Sequence, residues 1–136
     1  YDSSMMGHDH LPYWTRVGDV IYDDKPPKFG KHCDLLEMPI SWTLDDYPHF
    51  EFFRDKVGVL PGLAAADGVL QNWMNDFSYM SATEDWGILT YTFHPFVIGR
   101  GHRMIILEKL IEELTIKGAK FSTLNEAAQE FIKKTG

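Results

Sequence analysis

The sequence predicts an α/β fold in which parallel strands alternate with helices, and three observations carry that prediction. Short apolar or β-branched runs stand at residues 35–40 and 88–93, each closed by a proline. Between and after them, apolar residues recur at helical spacing: Val69, Leu70, Trp73, Met74, Phe77 and Met80, then Met104, Ile105, Leu107, Leu110, Ile111 and Leu114. The resulting order of strand, helix, strand, helix, strand, helix implies right-handed parallel crossovers.

Taken in order, residues 1–33 read as mostly irregular. Turn-forming residues fill Tyr1-Asp-Ser-Ser4, Gly7, Gly18-Asp19 and Asp23-Asp-Lys-Pro-Pro27, and only 17–22 suggests a short strand. His8 and His10 share a face of an extended segment, but with no third ligand nearby a solvated loop is preferred over a metal site. The strand at 35–40 is closed by Pro39 and followed by Ser41-Trp-Thr-Leu-Asp-Asp46. In extended chain Asp45 and Asp46 point to opposite sides and should not both serve one atom. Either could cap the bend at Tyr47-Pro48. Either could instead orient a histidine or an arginine, raising the histidine's pKa toward a general acid's working range. Trp42 reads equally as core packing or as a pocket wall.

Residues 49–65 suggest a short helix and a loop. Asp67 is placed to cap the next helix, which runs to about residue 82. After the strand at 88–93, the helix from Met104 ends at Lys117-Gly118, and 120–122 forms a short last strand. Thr123 with Glu126 fits a capping box that opens a terminal helix through about Lys133. About three or four parallel strands covered on one side would leave an open edge, so a second polypeptide or a second copy is expected there.

The chain is organised around Trp86-Gly-Ile-Leu-Thr-Tyr-Thr-Phe-His-Pro-Phe-Val-Ile-Gly-Arg-Gly-His-Arg103. Pro95 removes an N–H and holds His94 extended, so the strand stops with a titratable side chain at its carboxyl end. That edge is where chemistry collects in parallel α/β architectures, although a structural histidine is the plain alternative. Arg100, His102 and Arg103 stand where a helix begins and oppose its dipole, which implies a carboxylate partner or an anionic group on a substrate.

Composition bounds the rest. At 136 residues the chain suits one domain or a piece of one, and its aromatic content argues for a folded core. A formal net charge of −7 argues against nucleic acid or an anionic membrane as partner. Cys33 stands alone, which excludes an internal disulfide and suggests a reducing, cytoplasmic compartment. The start at Tyr1 suggests a processed product, a subunit or a fragment.

Three stretches together resemble the C-terminal half of the polysaccharide deacetylase (NodB-homology) superfamily, in its branch of peptidoglycan-deacetylase-like proteins, metal-dependent allantoinases and cyclic imide hydrolases. They are Tyr1-Asp-Ser-Ser-Met-Met-Gly7 with Pro12-Tyr13, Leu36-Glu-Met-Pro-Ile-Ser-Trp-Thr-Leu-Asp-Asp46, and Leu89-Thr-Tyr-Thr-Phe-His-Pro-Phe-Val-Ile-Gly-Arg100 with His102-Arg103. The resemblance implies the C-terminal half of a distorted (β/α)7-type barrel. It also implies a divalent metal, usually zinc, held by one Asp and two His of the family's N-terminal half. Those ligands lie outside this chain, which has no Asp-Asp motif followed by a His-x-x-x-His pair. His94 matches the family's late general-acid histidine, Tyr91 the hydrophobic position three residues before it, and Trp42 a pocket-wall aromatic. Asp45 or Asp46 matches the carboxylate associated with that wall.

The implied activity is metal-dependent hydrolysis of a non-peptide C–N bond in an acetamido sugar or a small linear or cyclic amide, with Arg100, His102 and Arg103 on the substrate-binding side. A second polypeptide or further copies would complete the barrel. The competing reading is a non-catalytic carbohydrate-binding or structural subunit.

Overall fold

A computed structural model describes residues 1–135. Both helices expected from the apolar spacing form, but of the second stripe Met104, Ile105 and Ile111 are exposed and Ile106 is buried instead. Helix α2 (Ala66–Thr83) and helix α4 (Gly101–Ile116) pack against each other through Val69, Leu70, Trp73, Met74, Ile106, Leu110 and Leu114. Two shorter helices, α1 (Asp46–Phe50) and α3 (Pro95–Ile98), close the end of this core with Phe50, Val97 and Ile98. Trp73 is its centre: fully buried, it meets Phe50, Tyr91 and Phe93 edge-on and donates its indole N–H to the Thr43 carbonyl at 2.9 Å.

Terminal helix α5 (Leu124–Thr135) opens on the expected capping box. Thr123 Oγ1 accepts from the Glu126 N–H at 3.2 Å, and Glu126 Oε2 accepts from the Thr123 N–H at 2.8 Å. Ala127 and Ala128 seat this helix on Leu36 and Met38, making a second, smaller core. Asp67 lies in the first turn of α2 instead of capping it, since Ala65 holds the N-cap position.

The sheet departs from the prediction. Strands β1 (Tyr13–Val17) and β2 (Lys31–Glu37) form an antiparallel ribbon with an irregularity between Trp14 and Arg16. So 1–33 is not irregular throughout, and the strand expected at 17–22 lies upstream because Gly18, at φ +83°, turns the chain. The strand expected at 35–40 begins and ends earlier because β1 supplies its partner. A small hairpin, β3 (Phe53–Arg54) with β4 (Val59–Leu60), occupies part of the 49–65 loop.

Parallel pairing survives only as isolated bridges, Asp2 to Glu37 and Asp45 to Thr92. Among the described residues no sheet closes into a barrel, and neither 88–93 nor 120–122 is a strand. The reason is hydrogen bonding. Segment 86–94 is half-buried, but apart from the turn into α3 at His94 its backbone bonds are few: Ile88 N–H to His10, Thr92 N–H to Leu44 and Asp46 N–H to Thr92. The opposite edge, at Leu89, Tyr91 and Phe93, meets no backbone partner among the described residues. Extended conformation without a neighbouring strand makes no ladder.

The N-terminal segment is clasped by the fully buried Glu37, whose Oε1 accepts from the N–H groups of Ser4 at 2.6 Å and Met5 at 2.8 Å. His10 is buried against the Tyr79 ring, so the loop around it is not solvated throughout. Among the described residues no helix is long and apolar enough to cross a membrane.

Candidate active site

His94 keeps the extended backbone expected before Pro95, although among the described residues no strand leads to it. It is the N-cap of α3, extended at φ −104° and ψ 123°, with Pro95 as the first helical residue. The bridge between Asp45 and Thr92 then lays 45–46 beside 92–94. Asp46 is completely buried, and both of its oxygens serve His94. Oδ2 accepts the backbone N–H at 2.9 Å and Oδ1 the ring Nδ1–H at 2.7 Å.

Asp45 takes the other role that the spacing allowed. It is the N-cap of α1, and its Oδ1 accepts the Tyr47 N–H at 2.8 Å. Yet it also lies 3.7 Å from His94 Nδ1, so the two carboxylates are not on opposite sides as extended chain would require. Asp45 is still extended, at φ −101° and ψ 132°, but Asp46 is the first helical residue, so the strict alternation of an extended segment ends between the two.

The hydrogen bond from Asp46 is the main cause that raises the His94 pKa above the usual imidazole value. Desolvation opposes it, and the charges of Asp46 and Asp45 add to it. Nε2 has no partner among the described residues, and the side chain is 36 % exposed. The ring is therefore a cation-favouring acid, with one nitrogen anchored and the other free for a proton transfer.

Asp45, Asp46 and His94 bring one ligand atom each within 4.8 Å of one another, which makes them the metal-sized cluster among the described residues. Asp46 accepts both N–H groups of His94 and Asp45 accepts that of Tyr47, so Nδ1 carries a proton and is not itself a ligand atom, while Nε2 and the remaining carboxylate lone pairs stay open to a cation.

Other expected residues sort differently. Arg103 is not available to a substrate. It is buried, its Nη1 donates to Glu51 Oε1 at 3.0 Å and to the Val97 carbonyl at 2.9 Å, and Nη2 reaches the Phe50 carbonyl at 3.2 Å. Of the two explanations for the basic turn, Arg103 takes the carboxylate partner. Tyr91 is also engaged elsewhere. Its hydroxyl donates to the Trp73 carbonyl at 3.1 Å, and burial pushes its pKa up, so it stays a neutral donor turned toward α2. It lines a cavity of about 790 Å³ between 86–93, α2, α4 and α5, which does not include His94. Arg100, His102 and Trp42 are exposed, Trp42 on a 3-10 turn (Trp42–Leu44) just before Asp45.

Two residues that the sequence did not single out stand against the histidine. Tyr47 lies 5.5 Å and Phe96 5.8 Å from the His94 ring, measured between ring centres. Their signal in the sequence is slight: Tyr47 follows the Asp pair, and Phe96 follows His94 by two.

The chain is 32 % identical over 145 aligned positions to a peptidoglycan deacetylase of Helicobacter pylori, matching 98 % of this chain and 49 % of that protein. A crystal structure from Mycobacterium smegmatis, assigned as a polysaccharide deacetylase, superimposes with a TM-score of 0.73 at 27 % identity, covering 98 % of this chain and 41 % of that one. The chain thus spans about half the length of the curated relative it matches. No protein-family model matches the sequence.

Proposed function

The chain belongs to the polysaccharide deacetylase (NodB-homology) superfamily, and from that premise we propose that it supplies the proton-donating half of a hydrolase acting on non-peptide C–N bonds. The relatives are named as deacetylases of peptidoglycan and of polysaccharide, and the proposed substrate is accordingly an acetylated amino sugar of such a polymer; small linear or cyclic amides are the neighbouring class.

The observation that carries this reading is His94 anchored through Nδ1 to a buried carboxylate with Nε2 left open. In amide hydrolysis a water oxygen bonds to the carbonyl carbon, the C–N bond breaks, and the leaving nitrogen needs a proton. Imidazolium Nε2–H supplies that proton, and the neutral ring keeps Nδ1–H on Asp46. A positioned acid of this kind contributes ~10²–10⁴ in rate. Asp46 holds the tautomer and favours the charged form. Asp45 ties off α1 so that both carboxylates keep their places. Trp42, Arg100 and His102 are exposed and remain the proposed substrate-facing residues.

The divalent cation of this reading, zinc, would activate the water, and its ligands would come from outside this chain. A second polypeptide, or further copies, would carry them and complete the barrel.

The experiment is purification with any companion chain, elemental analysis, and assay on N-acetylglucosamine oligomers and on succinimide, with the native chain and with His94→Ala. Metal, a companion and turnover that falls by ~10²-fold or more in the variant support the reading. Unchanged turnover in a folded His94→Ala complex removes His94 as the acid. Sugar binding without hydrolysis or metal favours a non-catalytic subunit.

A further inference from the structure

One hydrogen bond does not fix a ring. With only Nδ1 tied to Asp46, the His94 imidazole could still swing about its Cα–Cβ bond and about the line joining Nδ1 to Oδ1. Two aromatic side chains stand together beside it, their ring centres 5.5 Å and 5.8 Å from its own. Tyr47 meets the imidazole at 59° and Phe96 meets it at 64°, and the two lie 6.3 Å apart at 77° to one another. Each ring of the triangle presents an edge or a tilt to the next, the arrangement that aromatic quadrupoles favour.

Core packing does not explain Phe96. It is 60 % exposed, on a helix whose apolar contacts are made by Val97 and Ile98. Its ring instead meets those of His94 and Tyr47. Its anchoring is also separate from that of Tyr47, because one stands on α3 and the other on α1.

We propose that Tyr47 and Phe96 are positioning residues that together form an aromatic wall beside the His94 imidazole and limit its rotation, so that Nε2 stays turned to the open side of the site. The proposal deepens the assignment of His94 as proton donor and rests on it. The wall acts on geometry, while Asp46 acts on the proton. A ring that wanders by an ångström transfers its proton less often, even when it is correctly charged.

The test uses the full chain and Phe96→Ala, with Phe96→Tyr as the conservative variant and Phe96→Leu as a ringless variant that keeps apolar bulk. In ¹⁵N-histidine spectra of the native chain, His94 should show one slowly exchanging state protonated at Nδ1. Phe96→Ala should average the ring signals and speed exchange of the Nδ1 proton, Phe96→Leu should do so partly, and Phe96→Tyr should restore the native pattern. This arm needs no turnover, so it judges the wall even if the chain proves non-catalytic. In the complex assembled for the functional assay, kcat should fall about tenfold in Phe96→Ala, with KM within about twofold and the apparent acid pKa within about half a unit. Unaltered ring signals would overturn the proposal. So would an unchanged kcat with a raised KM, which would make Phe96 a substrate platform.

Discussion

Replacing Asp46 by asparagine tests the centre of the site without an activity assay. The native carboxylate accepts two N–H groups of His94, at 2.9 and 2.7 Å, from complete burial. An asparagine keeps one acceptor, and the backbone N–H of His94, which cannot change its role, takes it. The amide NH₂ is then turned toward Nδ1, where it meets a second donor whenever the ring is protonated. The neutral ring escapes by moving its proton to Nε2, whereas the imidazolium cannot.

The His94 pKa should therefore fall below the ordinary imidazole value by about a unit or more. At about pH 7.5 the acid form then drops roughly tenfold. The loss of a charge-assisted bond to a buried partner costs about 1.5–3 kcal/mol. For a chain of 136 residues that lowers Tm by about 5–10 °C.

The sign of the pH dependence follows from the direction of the shift. The folded pKa is raised above its ordinary 6.5, so the stabilisation is fully present below that pH and is lost as pH rises through the folded pKa. Melting curves at about pH 6 and pH 9, with an NMR titration of His94, should show a wide gap between the two proteins at the lower pH and a narrow one at the higher. A variant whose His94 titrates at or above the native position, or a gap that is the same at both pH values, would refute the reasoning.

Three further outcomes are expected. Arg103→Lys replaces a planar fork by a point charge that cannot reach Glu51, Val97 and Phe50 together, so urea denaturation should show a loss of about 2–4 kcal/mol; under about 1 kcal/mol, the structural assignment fails. Thr123→Ala removes one half of the α5 capping box and should cost about 1 kcal/mol, read as faster amide exchange in α5 with α2 and α4 untouched. Gly30→Ala places a methyl group inside the Val17 carbonyl, so exchange protection should be lost across β1 and β2 while the helical core keeps its own; an intact ribbon would contradict the close approach.

Legibility followed the range of the interactions. Helices α2 and α4 could be read because each is a periodic stripe whose packing is decided by its own spacing, and Thr123 with Glu126 could be read because a capping box is complete within four residues. His94 could be located because Pro95 fixes its backbone locally. The strands at 35–40 and 88–93 were misjudged for the converse reason. Extended propensity is local, but a strand exists only where another segment supplies hydrogen bonds, and β1 supplied them upstream while the edge of 86–94 received few.

The site divides along the same line. By itself the sequence determined that a histidine ends an extended segment, that two aspartates stand at a bend, and that a basic turn follows the histidine. Only the tertiary structure decided that Asp46 binds the histidine while Asp45 caps α1, that Arg103 is consumed by Glu51 and two carbonyls, that Tyr91 turns to Trp73, and that Tyr47 and Phe96 stand together beside the ring. Each of those outcomes sets residues from distant parts of the chain in competition for the same donors and the same space, and that competition is resolved only when the chain is folded.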